Sequence, residues 1–161
     1  MRKHLALVVA SATLAILAGA ACGTSTQTAT STPSAACAGS GNLHAYVVVQ
    51  HLNGSSLQRC VAFSGTIKGK QLMDESGINY QTQTFSFGLG VCAVDNEPAQ
   101  FTECFPQGKP YWSLFTEHAG AWTAAQTGFD QITLQDKDAL GWRYVPAADQ
   151  TPSPPPLAHE S

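Results

Sequence analysis

Positive charge is what this sequence has least of. Eight Lys and Arg stand among 161 residues against eleven Asp and Glu, and beyond Arg2-Lys3 the basic residues do not cluster. Holding a phosphate backbone requires grouped cations, so the composition argues against a nucleic-acid partner. Metal-binding spacing is also missing: there is no C-x-x-C, and His44, His51 and His118 do not fall at ligand intervals from one another. No G-x-S-x-G occurs, and the Ser113, His118 and Asp95 that a hydrolase could use are a nucleophile, base and acid on paper only. After the first twenty-odd residues no apolar run is long enough to span a bilayer, which takes roughly twenty residues.

What is present begins with an address. Arg2-Lys3-His4 is a basic start, Leu5 to Leu17 is an apolar and small-residue run, and Ala18-Gly19-Ala20-Ala21-Cys22 closes it, so residues 1–21 read as a secretion signal. Two processing readings fit. Ala18-Gly19-Ala20 suits ordinary cleavage, whereas the small residues before Cys22 resemble a bacterial lipoprotein box, with Gly19 where that box usually has Leu. Thiol parity favours the second. The chain has five cysteines, and lipidation of Cys22 leaves an even set of Cys37, Cys60, Cys92 and Cys104 for an oxidising compartment. Residues 22–36, rich in Thr, Ser, Pro and Ala and free of charge, suit a flexible tether. The expected location is the cell membrane, lipid-anchored on Cys22 and facing outside, or otherwise the secreted fraction. With Arg2 and Lys3 removed, the formal charge of the mature chain is −5.

Residues 37–145 are long enough for one domain, and 146–161, with Pro146, Pro152 and Pro154-Pro155-Pro156, read as a disordered, proline-rich tail. Leu43 to Gln50 and Leu57 to Phe63 flank Asn53-Gly54, the strongest short-range hairpin signal. Ile67 to Ser76 reads as a short helix with Thr66 as its cap, Leu72, Met73 and Ser76 on one face, Gly77 as its left-handed stop and Gly69 as its weak point. Asp74-Glu75 sit in its last turn, where negative charge is unfavourable, and read as a solvated face. From Phe85 the alternation places Phe87, Leu89, Val91 and Ala93 on one face of a half-buried strand, and its glycines suggest a bulge or close approach to the backbone. Asp95 to Gln107 is a long polar loop that needs a staple. Four thiols allow three connectivities, among which the sequence does not choose; bracketing of the long loop favours Cys92–Cys104, with Cys37 joined to Cys60 near the first hairpin.

All three tryptophans and two of the four tyrosines lie in the last third. Tyr111 to Glu117 and Trp122-Thr123 form a hairpin around Ala119-Gly120, with Glu117-His118 capping its end, and two more strands flank Asp136-Lys137-Asp138. The sum is α+β: a mainly antiparallel sheet packed on one short helix. Most of these rings are expected to serve the core, leaving Tyr111, Trp122 and Phe129 as the ligand-binding candidates.

The Asn53-Gly54 hairpin, Ser76-Gly77-Ile78, Gly90-Val91-Cys92-Ala93-Val94-Asp95, Tyr111-Trp112, Trp122, Gly128, and Asp136-Lys137-Asp138 ahead of Gly141-Trp142-Arg143-Tyr144 together resemble the transcobalamin-C-terminal-like branch of the soluble-ligand-binding β-grasp family. The resemblance covers residues 43 to 145. It implies a β-grasp sheet wrapped on one helix, no catalytic centre and no cofactor. The transcobalamin-like members close over cobalamin, so a cobalamin-like small molecule is the ligand the resemblance implies, while the concentration of rings adds an envelope glycan or peptide as the other kind of ligand. Lys137 stands where the family's turn commonly has Gly, and the helical partner domain of the transcobalamin-like members has no counterpart. The competing functions are a structural or protein-docking component of the cell envelope and a small secreted hydrolase.

Overall fold

The structure is a computed structural model that describes residues 36–158. The expected signal, Cys22 and nearly all of the tether lie outside the described residues. Strand β1 (Ala38–Gly39) precedes a long hairpin, β2 (Leu43–Gln50) and β3 (Ser56–Phe63), then β4 (Ile67–Lys68) and the helix α1 (Gly69–Ser76). A second hairpin, β5 (Tyr80–Phe85) and β6 (Gly88–Val94), leads through a long loop to a third, β7 (Tyr111–His118) and β8 (Ala121–Ala124). A single turn of 3-10 helix (Phe129–Gln131), β9 (Thr133–Leu134) and β10 (Ala139–Val145) complete the order. The architecture is α+β and mostly sheet. Among the described residues no helix is long and apolar enough to cross a membrane.

The main sheet has six strands in the order β1-β3-β2-β10-β7-β8. Its last strand in sequence lies in the middle, parallel to β2 and antiparallel to β7. The Asp136-Lys137-Asp138 turn sets that insertion. Lys137 holds a φ of 70°, its N–H donates to the His44 carbonyl (2.6 Å), Asp136 accepts from the His44 N–H (2.8 Å), and the Tyr46 N–H donates to the Asp138 carbonyl (3.0 Å). The start of β10 is thereby fixed beside β2. The first hairpin turns at Asn53-Gly54 as the sequence predicts, with Gly54 at φ 86° and the Asn53 side chain accepting from the Ser55 N–H at 2.9 Å.

The helix starts later than its pattern suggests. Ile67 has no exposed surface and pairs with Leu134, so the chain is held extended until Lys68, which is the N-cap and supplies no capping side chain; Thr66 plays no part. Gly69 is a requirement here, because a Cβ at that position would lie 2.2 Å from the Phe129 carbonyl oxygen. The rest matches: Leu72, Met73 and Ser76 face inward and Gly77 is left-handed at φ 72°. Strand β5 was invisible to hydrophobic periodicity. Its Gln81-Thr82-Gln83-Thr84 segment is exposed throughout and is strand only because β6 pairs with it. In turn β6 is buried on both faces from Gly90 to Val94, not half-buried.

One face of the main sheet carries Ala45, Val47, Val49, Val61, Leu140 and Trp142 into a core closed by Leu72, Met73 and Phe129. The other face is buried too. Registers align Tyr46 with Ala139, Val48 with Gly141, Gly141 with Phe115, and Glu117 with Trp122, all on the side away from the helix. Residues 146–158, which composition marks as a disordered tail, lie across that side. The Tyr111 hydroxyl donates to the Asp149 carbonyl (2.8 Å), Arg143 Nη1 donates to the Ser153 carbonyl (2.7 Å), Pro155 is buried, and the Ala158 N–H donates to Glu117 Oε2 (3.0 Å). The domain therefore extends past residue 145 to at least Ala158. A segment poor in apolar groups orders here because the sheet supplies the apolar surface and proline has little backbone freedom to lose.

Candidate functional site

The three ligand-binding candidates from the sequence do not share a site. Phe129 has no exposed surface, and its ring meets Tyr80 and Trp142 edge-on at 5.7 and 5.6 Å, so it is a core residue and is corrected as such. Trp122 and Tyr111 lie half-buried on the outer face of the sheet, beneath the C-terminal segment. Burial, then the nearby Asp149, pushes the Tyr111 phenol above its ordinary pKa. Trp112, Trp142 and Tyr144 are all nearly closed off, as expected of rings that serve packing. The Trp142 indole N–H points at the Met73 sulfur, 3.3 Å away, and joins β10 to the helix.

The exposed aromatic surface lies elsewhere, on Phe85, Phe87 and Phe105. Phe85 and Phe87 stack in parallel with centroids 5.1 Å apart, and Phe105 tilts against them at 5.1 and 6.2 Å. Phe87 is 44% exposed and Phe105 43%, a level at which neither ring is a core residue. Beside them opens a groove of about 270 Å³ lined by Phe87, Phe105, Leu89, Leu114, Trp112 and Trp142, so that two exposed rings form its rim and two buried tryptophans its floor.

Three local causes place these rings. Ser86 and Phe87 form the tight turn between β5 and β6, which turns Phe87 away from the core face that strict alternation would give it. The turn is pinned from the opposite side: Asp130 Oδ1 accepts from the Leu89 N–H (2.7 Å) and the Gly128 N–H donates to the Phe87 carbonyl (2.8 Å). Burial opposes ionisation of Asp130, yet the hydrogen bonds from Leu89 and Gln131 outweigh it and hold its pKa below the usual carboxylate range. Gly90 then makes room. A Cβ there would stand 2.7 Å from the Phe85 ring and 2.9 Å from the Phe105 ring, which is the close approach that the glycines of this strand suggested. The available sequence signal was Phe85-Ser86-Phe87-Gly88 read as a turn flanked by rings, instead of as one continuous strand.

Both disulfides, Cys37–Cys60 and Cys92–Cys104, are formed as the spacing suggested. The second staples the loop that carries Phe105 to the buried strand β6. Near its root the loop is held again, by His51, whose Nδ1 pairs with Glu97 at 2.7 Å and whose Nε2 pairs with Asp95 at 3.2 Å. The Trp112 indole N–H donates to the Glu97 carbonyl (2.8 Å). A second opening, about 440 Å³, lies under the stapled loop between Pro98, Phe101, Pro106, Lys109, Pro110 and Tyr144. Burial, then Glu97, raises the pKa of the Tyr144 phenol.

The paper triad is dispersed. Asp95 is engaged by His51, and His118 Nδ1 pairs with Asp138 at 2.7 Å. Ser113 and His118 fall on opposite faces of β7 by alternation. Glu117 is buried and takes the Ala158 N–H, so it does not cap the hairpin in solvent. Among the described residues no group of three or more His, Cys, Asp or Glu is arranged to hold a metal ion. No family model matches this chain. No curated protein matches it either. One solved structure that resembles it is described as a "putative metal binding protein" from Ruminococcus gnavus, at 18% identity and a TM-score of 0.47, covering 65% of this chain and 98% of that one. A likeness at that level identifies neither ligand nor activity for this chain.

Proposed function

We propose that this chain is a surface-anchored or secreted bacterial envelope protein whose domain binds a ligand without transforming it, at the groove rimmed by Phe87 and Phe105. The observation that carries the reading is the stacked, exposed phenylalanine cluster. Contiguous exposed rings are costly in water and mark contact surfaces, and a groove with apolar walls beside them is the usual form of a small-ligand site. The β-grasp reading is supported by the order of elements: a first hairpin, then the helix, with the final strand inserted parallel to the first long strand. A flat or ring-bearing ligand fits best, in keeping with the cobalamin-like molecule that the resemblance implies or the envelope glycan that an aromatic edge suits. The acid, base and nucleophile of a hydrolase lie apart, which supports a non-catalytic reading.

Titration of the purified domain with cobalamin, cobinamide and cell-wall glycan fragments tests this, because Trp112 and Trp142 floor the groove and report on it by fluorescence. Emission changes and a raised melting temperature are expected with at least one of these ligands, and loss of both in a Phe87→Ala/Phe105→Ala protein. A flat titration with every ligand, or an unchanged response in the double variant, removes the site. The anchor is tested separately: Cys22→Ser should move the protein from the membrane fraction to the medium, and unchanged fractionation removes the lipid.

A further inference from the structure

The outer face of the sheet, opposite the phenylalanine groove, is built around an extended segment. Trp122 lies over Gly141, where a Cβ would stand 2.7 Å from its ring carbons Cη2 and Cζ3 and equally close to Pro155 Cγ, so a glycine is needed for the ring and the proline to share that spot. Four contacts then follow the segment in order along the strands. Tyr111 takes Asp149 at one end, Arg143 takes the Ser153 carbonyl and hydroxyl, the Trp122 ring and Pro155 converge over Gly141, and Glu117 takes the Ala158 N–H at the other end. Residues 152–158 have no regular secondary structure and add no strand to the sheet. Their hold comes from an aromatic ring on a proline and from polar side chains on the main chain, the combination by which proline-rich segments are recognised.

One group is left over. The Trp122 indole N–H is buried and has no acceptor among the described residues. A buried donor without a partner is unfavourable, so the resident segment does not use all that the face offers. A proline-rich peptide that sets a carbonyl against that N–H would compete with it. We propose that this face is a recognition site for extended, proline-rich peptides of other proteins, and that residues 149–158 are its resident ligand in cis, which must be displaced for such a peptide to bind.

The test uses the full chain. Pro155→Asp puts a carboxylate against the Trp122 ring and should release the segment, seen as new proteolytic cleavage after Pro146 and a shift in Trp122 emission. A fluorescently labelled peptide copying residues 149–161, and an unrelated proline-rich decapeptide, are then titrated against wild-type and variant chains by anisotropy. Both should bind the variant at least ten-fold more tightly than they bind wild type, and adding Trp122→Ala should abolish both. Binding of the copied tail alone shows a structural seat specific to this chain and overturns the proposal, as does no binding to a folded variant or a segment that stays seated. If Pro155→Asp unfolds the protein, Pro155→Gly, which loosens the resident segment and leaves every residue of the face in place, is read in the same way: several-fold tighter binding is expected, and unchanged binding overturns the proposal.

Discussion

Two sets of rings in this domain, Trp112 with Trp142 and Phe87 with Phe105, are used in opposite ways. Trp112 and Trp142 sit within strands of a sheet that is covered on both faces, by the helix and its neighbours on one and by the C-terminal segment on the other. Phe87 and Phe105 sit in a turn and a stapled loop, where both rings stay exposed among the described residues. Aromatic density along a sequence therefore locates the core here, whereas aromatic placement at chain reversals locates the exposed surface. The difference is one of coverage and not of ring chemistry.

Trp142→Ala should produce the largest effect. The ring is 2% exposed, meets Phe129 edge-on and touches Met73, so its removal leaves a cavity at the junction of sheet and helix. A loss of about 3–5 kcal/mol in urea or guanidinium unfolding is expected. A loss below about 1 kcal/mol would mean that this ring is not the core residue its burial indicates. Next is Cys92→Ser, which opens a loop closed over a sequence separation of 12. A cost of ~2–4 kcal/mol follows from the freedom returned to the unfolded chain. This variant also sharpens the comparison, because Phe105 rides on that loop: ligand response should weaken even under conditions where the variant remains folded.

The phenylalanines come third. Phe87→Ala and Phe105→Ala should each cost no more than about 1 kcal/mol, since large fractions of both rings are already in water. Binding should nonetheless fall in both. If either change costs as much as Trp142→Ala, the cluster is a minor core and the comparison between the two kinds of ring collapses.

Much of the fold was legible in advance, the ring cluster was not, and each failure has a specific cause. The Asn53-Gly54 hairpin, the inward helix face, the turn at Ala119-Gly120 and the strands around Asp136-Lys137-Asp138 all follow from local chemistry that tertiary contacts did not override. Strand β5 has no such signal, since Gln81 to Thr84 are polar on both faces and owe their conformation to β6. Thr66 looked like a cap because nothing local shows that Ile67 will be drawn into pairing with Leu134, 67 positions away. The C-terminal segment misled for a related reason: composition reports how little it can bury by itself, not how much surface Val48, Phe115 and Gly141 leave for it to cover. Phe129 lies in a loop after a hairpin, a neighbourhood that suits a binding residue, yet a single 3-10 turn folds it inward.

The smallest expected effect lies on the exposed side of the helix. Asp74 accepts hydrogen bonds from Lys70 and from the Tyr80 hydroxyl, which together hold its carboxyl below the ordinary value of 3.8, while burial works weakly in the other direction. A carboxyl whose pKa is lowered on folding stabilises the fold above its unfolded value, and that contribution is lost as pH falls through the lowered one. Because its side chain is 48% exposed, solvent screens most of the effect, and Asp74→Asn should cost only a few tenths of a kcal/mol at neutral pH. The two proteins should then converge in stability as the solution is acidified below the folded carboxyl's pKa. A difference that persists at acid pH would show that the Tyr80 contact works through shape and not through charge. Tyr80 packs on Phe129, so that result would tie this surface aspartate to the same core that buries the tryptophans.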